Sequence, residues 1–155
     1  MNYKIAVAQI DSTVGNLKKN VEHHIEFVRK ALAKKVDIVV FPELSLTGYS
    51  VKDLNWDLAL RAEPNKHFTE LLKLSKQITI IAGVVEESRN YGIYNSAFVF
   101  EDGRVHSAHR KNYPPTYGMF EEMRYFSQGK DVRVFNSKYG KLGILICEDM
   151  WHMAL

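Results

Sequence analysis

The sequence has a single cysteine, Cys147, so the chain cannot form an internal disulfide. It has no apolar stretch of transmembrane length. The first ten residues contain Lys4 and Gln9 where a signal peptide would have its apolar core. These absences favour a reducing, cytoplasmic setting, in which a reactive thiol remains usable.

Neither sign of charge dominates. The 21 basic and 18 acidic residues are interspersed and give a formal net charge of +3. No basic face or tail therefore argues for binding to nucleic acid or to an anionic membrane. The histidines lack the spacing of a zinc site, so we expect no metal and no cofactor. Repeats and linkers are also absent, and 155 residues suffice for one domain, which we expect to span residues 1–155.

Hydrophobic periodicity in the first half predicts alternating strands and helices. Residues 4–10 have the pattern of a strand, and apolar residues at helical spacing follow Asn16, a residue type that caps helices. Residues 36–41 are almost continuously apolar, which predicts a central parallel strand covered on both sides. A second helix after Pro64 and a second buried strand over residues 78–85 continue the alternation. This pattern indicates an α/β fold.

The second half of the sequence does not continue the alternation of strands and helices. Residues 95–101 and 104–109 flank Asp102 and Gly103, a dipeptide that favours a tight hairpin turn, so we expect antiparallel strands there. Residues 111–130 have no clean period, and long irregular segments of this kind are usually functional.

Three polar side chains stand where predicted strands end. Residues 36–41 lead to Glu43, the strand at 104–109 leads to Lys111, and an apolar strand over residues 142–146, paired with residues 132–135, delivers Cys147. Each residue alone has a structural explanation, as a packed core thiol, a carboxylate bonded to backbone amides or a solvated charge. Together they suit amide chemistry.

Amides resist attack, and a thiol with the ordinary pKa of about 8.5 is only a few per cent thiolate near neutrality, so the nucleophile needs activation. Glu43 is suited to take the thiol proton, pass it to the departing amine and later activate water. Lys111 and the backbone N–H just after Cys147 would stabilise the oxyanion. A covalent thioester intermediate follows.

The segments around these residues resemble the three catalytic motifs of the nitrilase, or carbon-nitrogen hydrolase, superfamily. The three segments are FPEL at 41–44, HRK at 109–111 and ICED at 146–149. The sequence is also similar to the glutaminase domain of glutamine-dependent NAD synthetases and to related stand-alone amidases, through LTGY at 46–49, residues 115–126 and CEDMW at 147–151. The resemblance runs from Lys4 to Trp151.

This resemblance implies a nitrilase-like αββα sandwich in which Glu43, Lys111 and Cys147 are the catalytic set. It also implies that Glu122, rather than its neighbour Glu121, positions Lys111 and substrate. Members of the superfamily continue well past the nucleophile. The sandwich is therefore expected to be incomplete, with only the N-terminal part of the fold, and to expose apolar sheet.

The resemblance further implies that Tyr49 and Tyr117 line the amide pocket. The sequence then predicts a thiol-dependent amidase that converts a small carboxamide, with glutamine as one candidate, to a carboxylate and ammonia. Three alternatives stay open: the glutaminase part of an NAD synthetase, transfer of the acyl group to an amine, and a catalytically silent truncated remnant that pairs with another chain. No Gly-rich nucleotide-binding loop is present, so the chain alone cannot make NAD. Its expected partners are a small amide and a second copy of itself.

Overall fold

Five strands of the protein form one mixed sheet. The computed structural model describes residues 2–152. The strands, in their order across the sheet, are β1 (Ile5–Val7), β2 (Ile38–Val40), β3 (Thr79–Glu87), β4 (Ile93–Glu101) and β5 (Arg104–Arg110). β1, β2 and β3 are parallel, and β4 and β5 are antiparallel to their neighbours. The predicted change from parallel to antiparallel pairing is confirmed.

Four α-helices accompany the sheet within residues 2–152: α1 (Leu17–Ala33), α2 (Asn55–Leu58), α3 (Thr69–Leu74) and α4 (Glu122–Tyr125). Short 3-10 helices lie at Lys52–Leu54 and Cys147–Trp151. Asn16 caps α1 as predicted, because its side-chain oxygen accepts the backbone N–H of Lys19 at 3.0 Å. None of the helices in this range is long and apolar enough to span a bilayer.

The helices α1 and α3 cover one face of the sheet. The apolar stripe of α1 contributes Val21 and Val28 to the main core, as its helical spacing predicted, and Ala31 joins them. Phe68, Phe98 and Phe100 add edge-to-face aromatic contacts from the loop before α3 and from β4. The centroid of the Phe68 ring lies 6.1 Å from that of Phe98 and 5.1 Å from that of Phe100. The protein is therefore a mixed α/β fold, as predicted.

The central position of β2 is also confirmed. Ile38 and Val39 are almost completely buried, and β2 pairs with β1 on one side and β3 on the other. The predicted hairpin between β4 and β5 has positive φ at both turn residues, 52° at Asp102 and 79° at Gly103. Such a turn matches the right-handed twist of the strands that it joins.

The predicted final hairpin is confirmed, but the predicted end of its second strand was wrong. A separate two-stranded sheet contains β6 (Val134–Ser137) and β7 (Gly140–Gly143), so the strand ends at Gly143 and does not reach Cys147. The backbone N–H of Ile146 donates to the side chain of Asp149 at 3.0 Å instead of to a neighbouring strand. Local side-chain acceptors compete with sheet pairing in this way. A loop and a 3-10 helix, rather than a buried strand, deliver the cysteine.

Candidate active site

Glu43 lies on a turn that crosses directly over β3. A side chain at Gly83 of β3 would place its Cβ 2.1 Å from the backbone nitrogen of Leu44 and 2.6 Å from the carbonyl oxygen of Pro42. Only glycine allows this approach. The backbone N–H of Leu46 donates to the carbonyl of Gly83 at 2.9 Å and holds the turn against the strand. The sequence pattern did not single out Gly83, because a close tertiary approach leaves no local signal.

Lys111 follows β5 and is completely buried between two carboxylates. Its Nζ lies 2.7 Å from Oε1 of Glu43 and 2.9 Å from Oε1 of Glu122. Burial lowers the pKa of Lys111, but hydrogen bonds and charge attraction from Glu43 and Glu122 outweigh burial and raise it above its ordinary value. The ammonium is therefore held as a cation inside the protein.

The backbone of Lys111 is held in place by the close approach of Gly129. The N–H of Gly129 donates to the carbonyl of Lys111 at 2.8 Å. A Cβ at Gly129 would lie 2.4 Å from the carbonyl oxygen of Arg110 and 2.9 Å from that of Lys111. Glycine thus permits the loop after α4 to pack against the end of β5.

Glu122 is the first residue of α4 and is buried at the site, as the choice of Glu122 over Glu121 requires. Its Oε1 accepts the hydroxyl of Tyr49 at 2.5 Å as well as the ammonium of Lys111. The pKa of Tyr49 is raised, mainly by burial and to a smaller extent by the hydrogen bond to Glu122. The structure therefore joins four of the predicted residues by direct contacts.

Asn95 is a site residue that sequence reasoning missed. It lies near the start of β4 and is 1% exposed. Its side-chain nitrogen donates to Oε1 of Glu43 at 2.7 Å and to Oε2 of Glu122 at 3.3 Å. The available signal was a polar amide in a strongly apolar strand, since buried amides need partners.

Cys147 begins the 3-10 helix with a positive φ of 47°, a conformation that costs a non-glycine residue about 1 kcal/mol. The residue is exposed. Partial burial and the charge of Glu43 raise the pKa of the thiol, and Glu122 adds to this. Lys111 and the backbone N–H of Glu148 act in the opposite direction, but the net shift is upward. The thiol is thus affected by the charges of the Lys111 cluster, which consists of Lys111, Glu43 and Glu122, and it is protonated at neutral pH.

Asp149 connects the cysteine segment to the lysine segment. Its buried carboxylate accepts the backbone N–H groups of Ile146 at 3.0 Å, Asn112 at 2.9 Å and Tyr113 at 3.0 Å. Burial alone would raise the pKa of Asp149, but the hydrogen bond from His109 and those from the backbone hold it below its usual value. Asp149 lies within a recognised motif, yet its role was not predicted, because the sequence does not show which backbone N–H groups a carboxylate will accept.

Tyr117 lies at the rim of the site rather than in the buried cluster. It is exposed, and its hydroxyl donates to Oε2 of Glu148 at 2.7 Å. This hydrogen bond, more than burial, raises the pKa of Tyr117. The predicted pocket tyrosines therefore have different surroundings, with Tyr49 bonded to the lysine cluster and Tyr117 beside the residue that follows Cys147.

A cleft with a volume of about 730 Å³ is not lined by Glu43, Lys111 or Cys147. Its charged side chains neutralise one another. Arg110 makes two hydrogen bonds to Glu86, at 2.6 and 3.0 Å. Size alone therefore does not identify the site, and the reactive groups do. Within residues 2–152, no group of three or more His, Cys, Asp or Glu side chains is placed to hold a metal ion, and the absence of a metal and of a cofactor stays a prediction.

Over nearly its whole length, the chain is similar to part of several glutamine-dependent NAD(+) synthetases. It is 37% identical over 150 residues to a glutamine-dependent NAD(+) synthetase of Acinetobacter baylyi, covering 97% of this chain and 28% of that protein. The structure of a glutamine-dependent NAD+ synthetase from Acinetobacter baumannii in complex with ADP superposes with a TM-score of 0.84 and 37% identity, over 96% of this chain and 28% of that chain. The chain thus spans between a quarter and a third of the length of these relatives.

A nitrilase-superfamily protein from Saccharomyces cerevisiae superposes with a TM-score of 0.80 and 26% identity, over 97% of this chain and 57% of that chain. The family model described as carbon-nitrogen hydrolase matches residues 4–154. The resemblance inferred from the three motifs is confirmed, and this protein belongs to the carbon-nitrogen hydrolase family.

Proposed function

We propose that the protein is a thiol-dependent amidase that hydrolyses a small carboxamide to a carboxylate and ammonia. The observation that carries the proposal is the position of the Lys111 ammonium, 2.7 Å from Glu43 and 2.9 Å from Glu122. Hydrogen bonds from Ile146 and Asn112 to Asp149 tie the segment of Cys147 to that of Lys111. We assign Glu43 as the base, Lys111 as the cation and Cys147 as the nucleophile. Membership of the carbon-nitrogen hydrolase family supports this reaction class.

Glu43 acts first, as the base. Because the pKa of the Cys147 thiol is raised, the resting thiol is protonated and needs a base in order to attack. Glu43 accepts the thiol proton while the sulfur attacks the carbonyl carbon of the amide. The ammonium of Lys111 and the backbone N–H of Glu148 stabilise the oxyanion that forms.

Collapse of this intermediate breaks the carbon–nitrogen bond. Protonated Glu43 returns its proton to the departing nitrogen, so ammonia leaves and a thioester on Cys147 remains. Glu43 then takes a proton from a water molecule, whose oxygen attacks the thioester. Glu43 returns the proton taken from water to the sulfur, and the carboxylic acid product leaves and gives up its own proton to ammonia or solvent, so atoms and charge balance over the cycle. Glu122 holds Lys111 in place, while Tyr49 and Tyr117 contact the substrate.

Glutamine is the substrate that we propose. The support is the name of the relatives, which are glutamine-dependent synthetases, together with the family match. The chain would then supply ammonia, whether alone or as the glutaminase part of an NAD synthetase. Acyl transfer to an amine would share the same thioester and differ only in the second nucleophile.

Ammonia release by the purified chain tests this proposal. We expect release from L-glutamine or a simple carboxamide, and loss of release in Cys147→Ala and Glu43→Gln. Hydroxylamine added during turnover should yield a hydroxamate, and an added amine should yield a new amide only if transfer competes with hydrolysis. If the chain releases no ammonia from any amide, the proposal is wrong.

We also propose that the protein acts in the cytoplasm as an assembly of identical chains. Large apolar side chains are exposed on β1, in the last 3-10 helix and on β6, with Val7 82%, Trp151 77% and Val134 62% exposed. Burial of such side chains between chains would favour association. Sedimentation should show a dimer or larger species. Association without any ammonia release would favour the silent remnant instead.

A further inference from the structure

The side-chain amide of Asn95 bridges two carboxylates that would otherwise repel each other. Its nitrogen donates to Glu43 at 2.7 Å and to Glu122 at 3.3 Å, from a position that is 99% buried. Lys111 bridges the same two carboxylates. Asn95 and Lys111 thus form two links between Glu43 and Glu122, one neutral and one charged.

The orientation of the Asn95 amide follows from chemistry. An amide oxygen facing two carboxylates would be repelled, so the nitrogen must face them. The oxygen, Oδ1, is then left buried, without a hydrogen-bond partner among residues 2–152. An orphaned buried acceptor is unfavourable. The carboxylates, and not the needs of the amide oxygen, therefore fix this side chain.

The two links distinguish the oxygens of Glu43. Oε1 accepts both the amide of Asn95 and the ammonium of Lys111, each at 2.7 Å. Oε2 has no hydrogen-bond or ionic partner among the described residues, and the side chain is 18% exposed. The oxygen that is free to accept a proton is therefore Oε2.

We infer that Asn95 is a positioning residue that holds Glu43 and Glu122 on either side of Lys111 and reserves Oε2 of Glu43 for the proton of the Cys147 thiol. This inference rests on the proposed function, because it assigns an atom to the proton transfer of that mechanism. Without the amide, Glu43 is fixed by Lys111 alone and can rotate. Proton transfer then slows, although substrate contacts remain.

Asn95→Leu, which keeps the size of the side chain and removes the donor, is the first variant to test. We expect its kcat for L-glutamine to fall about 10- to 100-fold, with KM within about threefold of the wild-type value, because small misplacement of a catalytic group has effects of this size. Asn95→Ser has a hydroxyl that can donate to only one carboxylate, so its kcat should lie between those of the wild type and Asn95→Leu. Should Asn95→Leu fail to fold, Asn95→Ser carries the test.

Ser96→Ala is the matched control. Ser96 is the next residue on β4, is equally buried, and donates to Oε2 of Glu86 at 2.6 Å instead of to the site. It should lose comparable stability in urea and keep its kcat. A kcat in the Asn95 variant within twofold of the wild type, or a loss confined to KM, would overturn the inference.

Crystal structures of the wild type and of Asn95→Leu separate this inference from the proposed function. If the wild type releases no ammonia, the proposed function fails, but displacement of the Glu43 carboxylate in Asn95→Leu still supports the positioning role. An unmoved Glu43 carboxylate in that variant contradicts the positioning role, whether or not the wild type is active.

Discussion

His109 donates a hydrogen bond from Nε2 to Oδ2 of Asp149 over 3.2 Å, and both side chains are buried. The direction follows from the lowered pKa of Asp149, since an ionised carboxylate can only accept. His109 lies two residues before Lys111, and Asp149 lies two residues after Cys147. The pair therefore couples the position of the sulfur to that of the ammonium.

Asp149→Asn tests this coupling. The variant would turn an amide nitrogen toward donors that now share a carboxylate, so we expect kcat to fall about 100-fold and the free energy of unfolding to fall by about 3 kcal/mol. Steady-state kinetics and urea denaturation measure both. Asp131→Asn is the control, because Asp131 is exposed and pairs with Arg133 at the surface. Equal changes in kcat and in the free energy of unfolding in the two variants would contradict the coupling role of Asp149.

Glu43 and Lys111 shift the pKa of the Cys147 thiol in opposite directions, so their removal should have opposite effects. Because the charge of Glu43 raises the pKa of Cys147, Glu43→Gln should lower that pKa while turnover falls about 1,000-fold with loss of the base. Lys111→Met should raise it, because Lys111 lowers it in the native protein. The rate of iodoacetamide labelling against pH reports both shifts. A Glu43→Gln variant that labels only at higher pH than the wild type would contradict the proposed arrangement.

Buried His24 makes stability depend on pH. Its Nδ1 bonds to the carbonyl of Asn20 at 2.7 Å and its Nε2 to Oγ of Ser45 at 2.9 Å. Burial lowers the pKa of His24 to about 4, from an ordinary value of 6.5. The corresponding stability is fully present above pH 6.5 and is lost as the pH falls toward 4, by about 3 kcal/mol in total.

Urea denaturation at several pH values between 7.5 and 4 measures this loss. His24→Gln should be less stable at pH 7.5 but should have a flatter pH dependence, because glutamine does not titrate. His23→Gln, at the neighbouring and less buried position, should retain the loss. The same slope in His24→Gln as in the wild type would assign the effect to other groups.

Gly83 and Gly129 lie so close to neighbouring backbone atoms that neither position should tolerate a side chain. Gly83→Ala is expected to displace the Glu43 turn and Gly129→Ala the end of β5, each with at least a 100-fold loss of kcat and a lower Tm. Gly143→Ala is the matched control, because its nearest atom, in Val134, is 4.0 Å away from the added Cβ. Activity in Gly83→Ala near that of Gly143→Ala would show that the turn can shift without consequence.

Sequence patterns predicted what depends on local periodicity and on recognisable motifs. The helix after Asn16, the central strand containing Val39 and the turn at Gly103 could be read from apolar spacing and turn chemistry. The motifs brought Glu43 and Lys111 into the candidate site, and the structure places them in contact. Their catalytic roles stay predictions.

What depends on tertiary contacts could not be predicted. Asn95 looked like an ordinary strand residue, since its two carboxylate partners come from distant segments. The strand before Cys147 was predicted to continue to residue 146 but ends at Gly143, because an apolar run cannot reveal that Asp149 accepts the backbone N–H of Ile146. Gly83 matters only because Leu44 passes over it. In each case the deciding partner is an atom whose approach the local pattern does not encode.

The Lys111 cluster combines two acids with a single ammonium, and this ratio bears on turnover. Glu43 and Glu122 together outweigh Lys111 by one negative charge. An uncharged amide group can enter such a site without electrostatic penalty, whereas the newly made carboxylate meets like charge at short range, where the repulsion is strong. Product would then be expelled by the same groups that made it, and high concentrations of acid product should inhibit weakly.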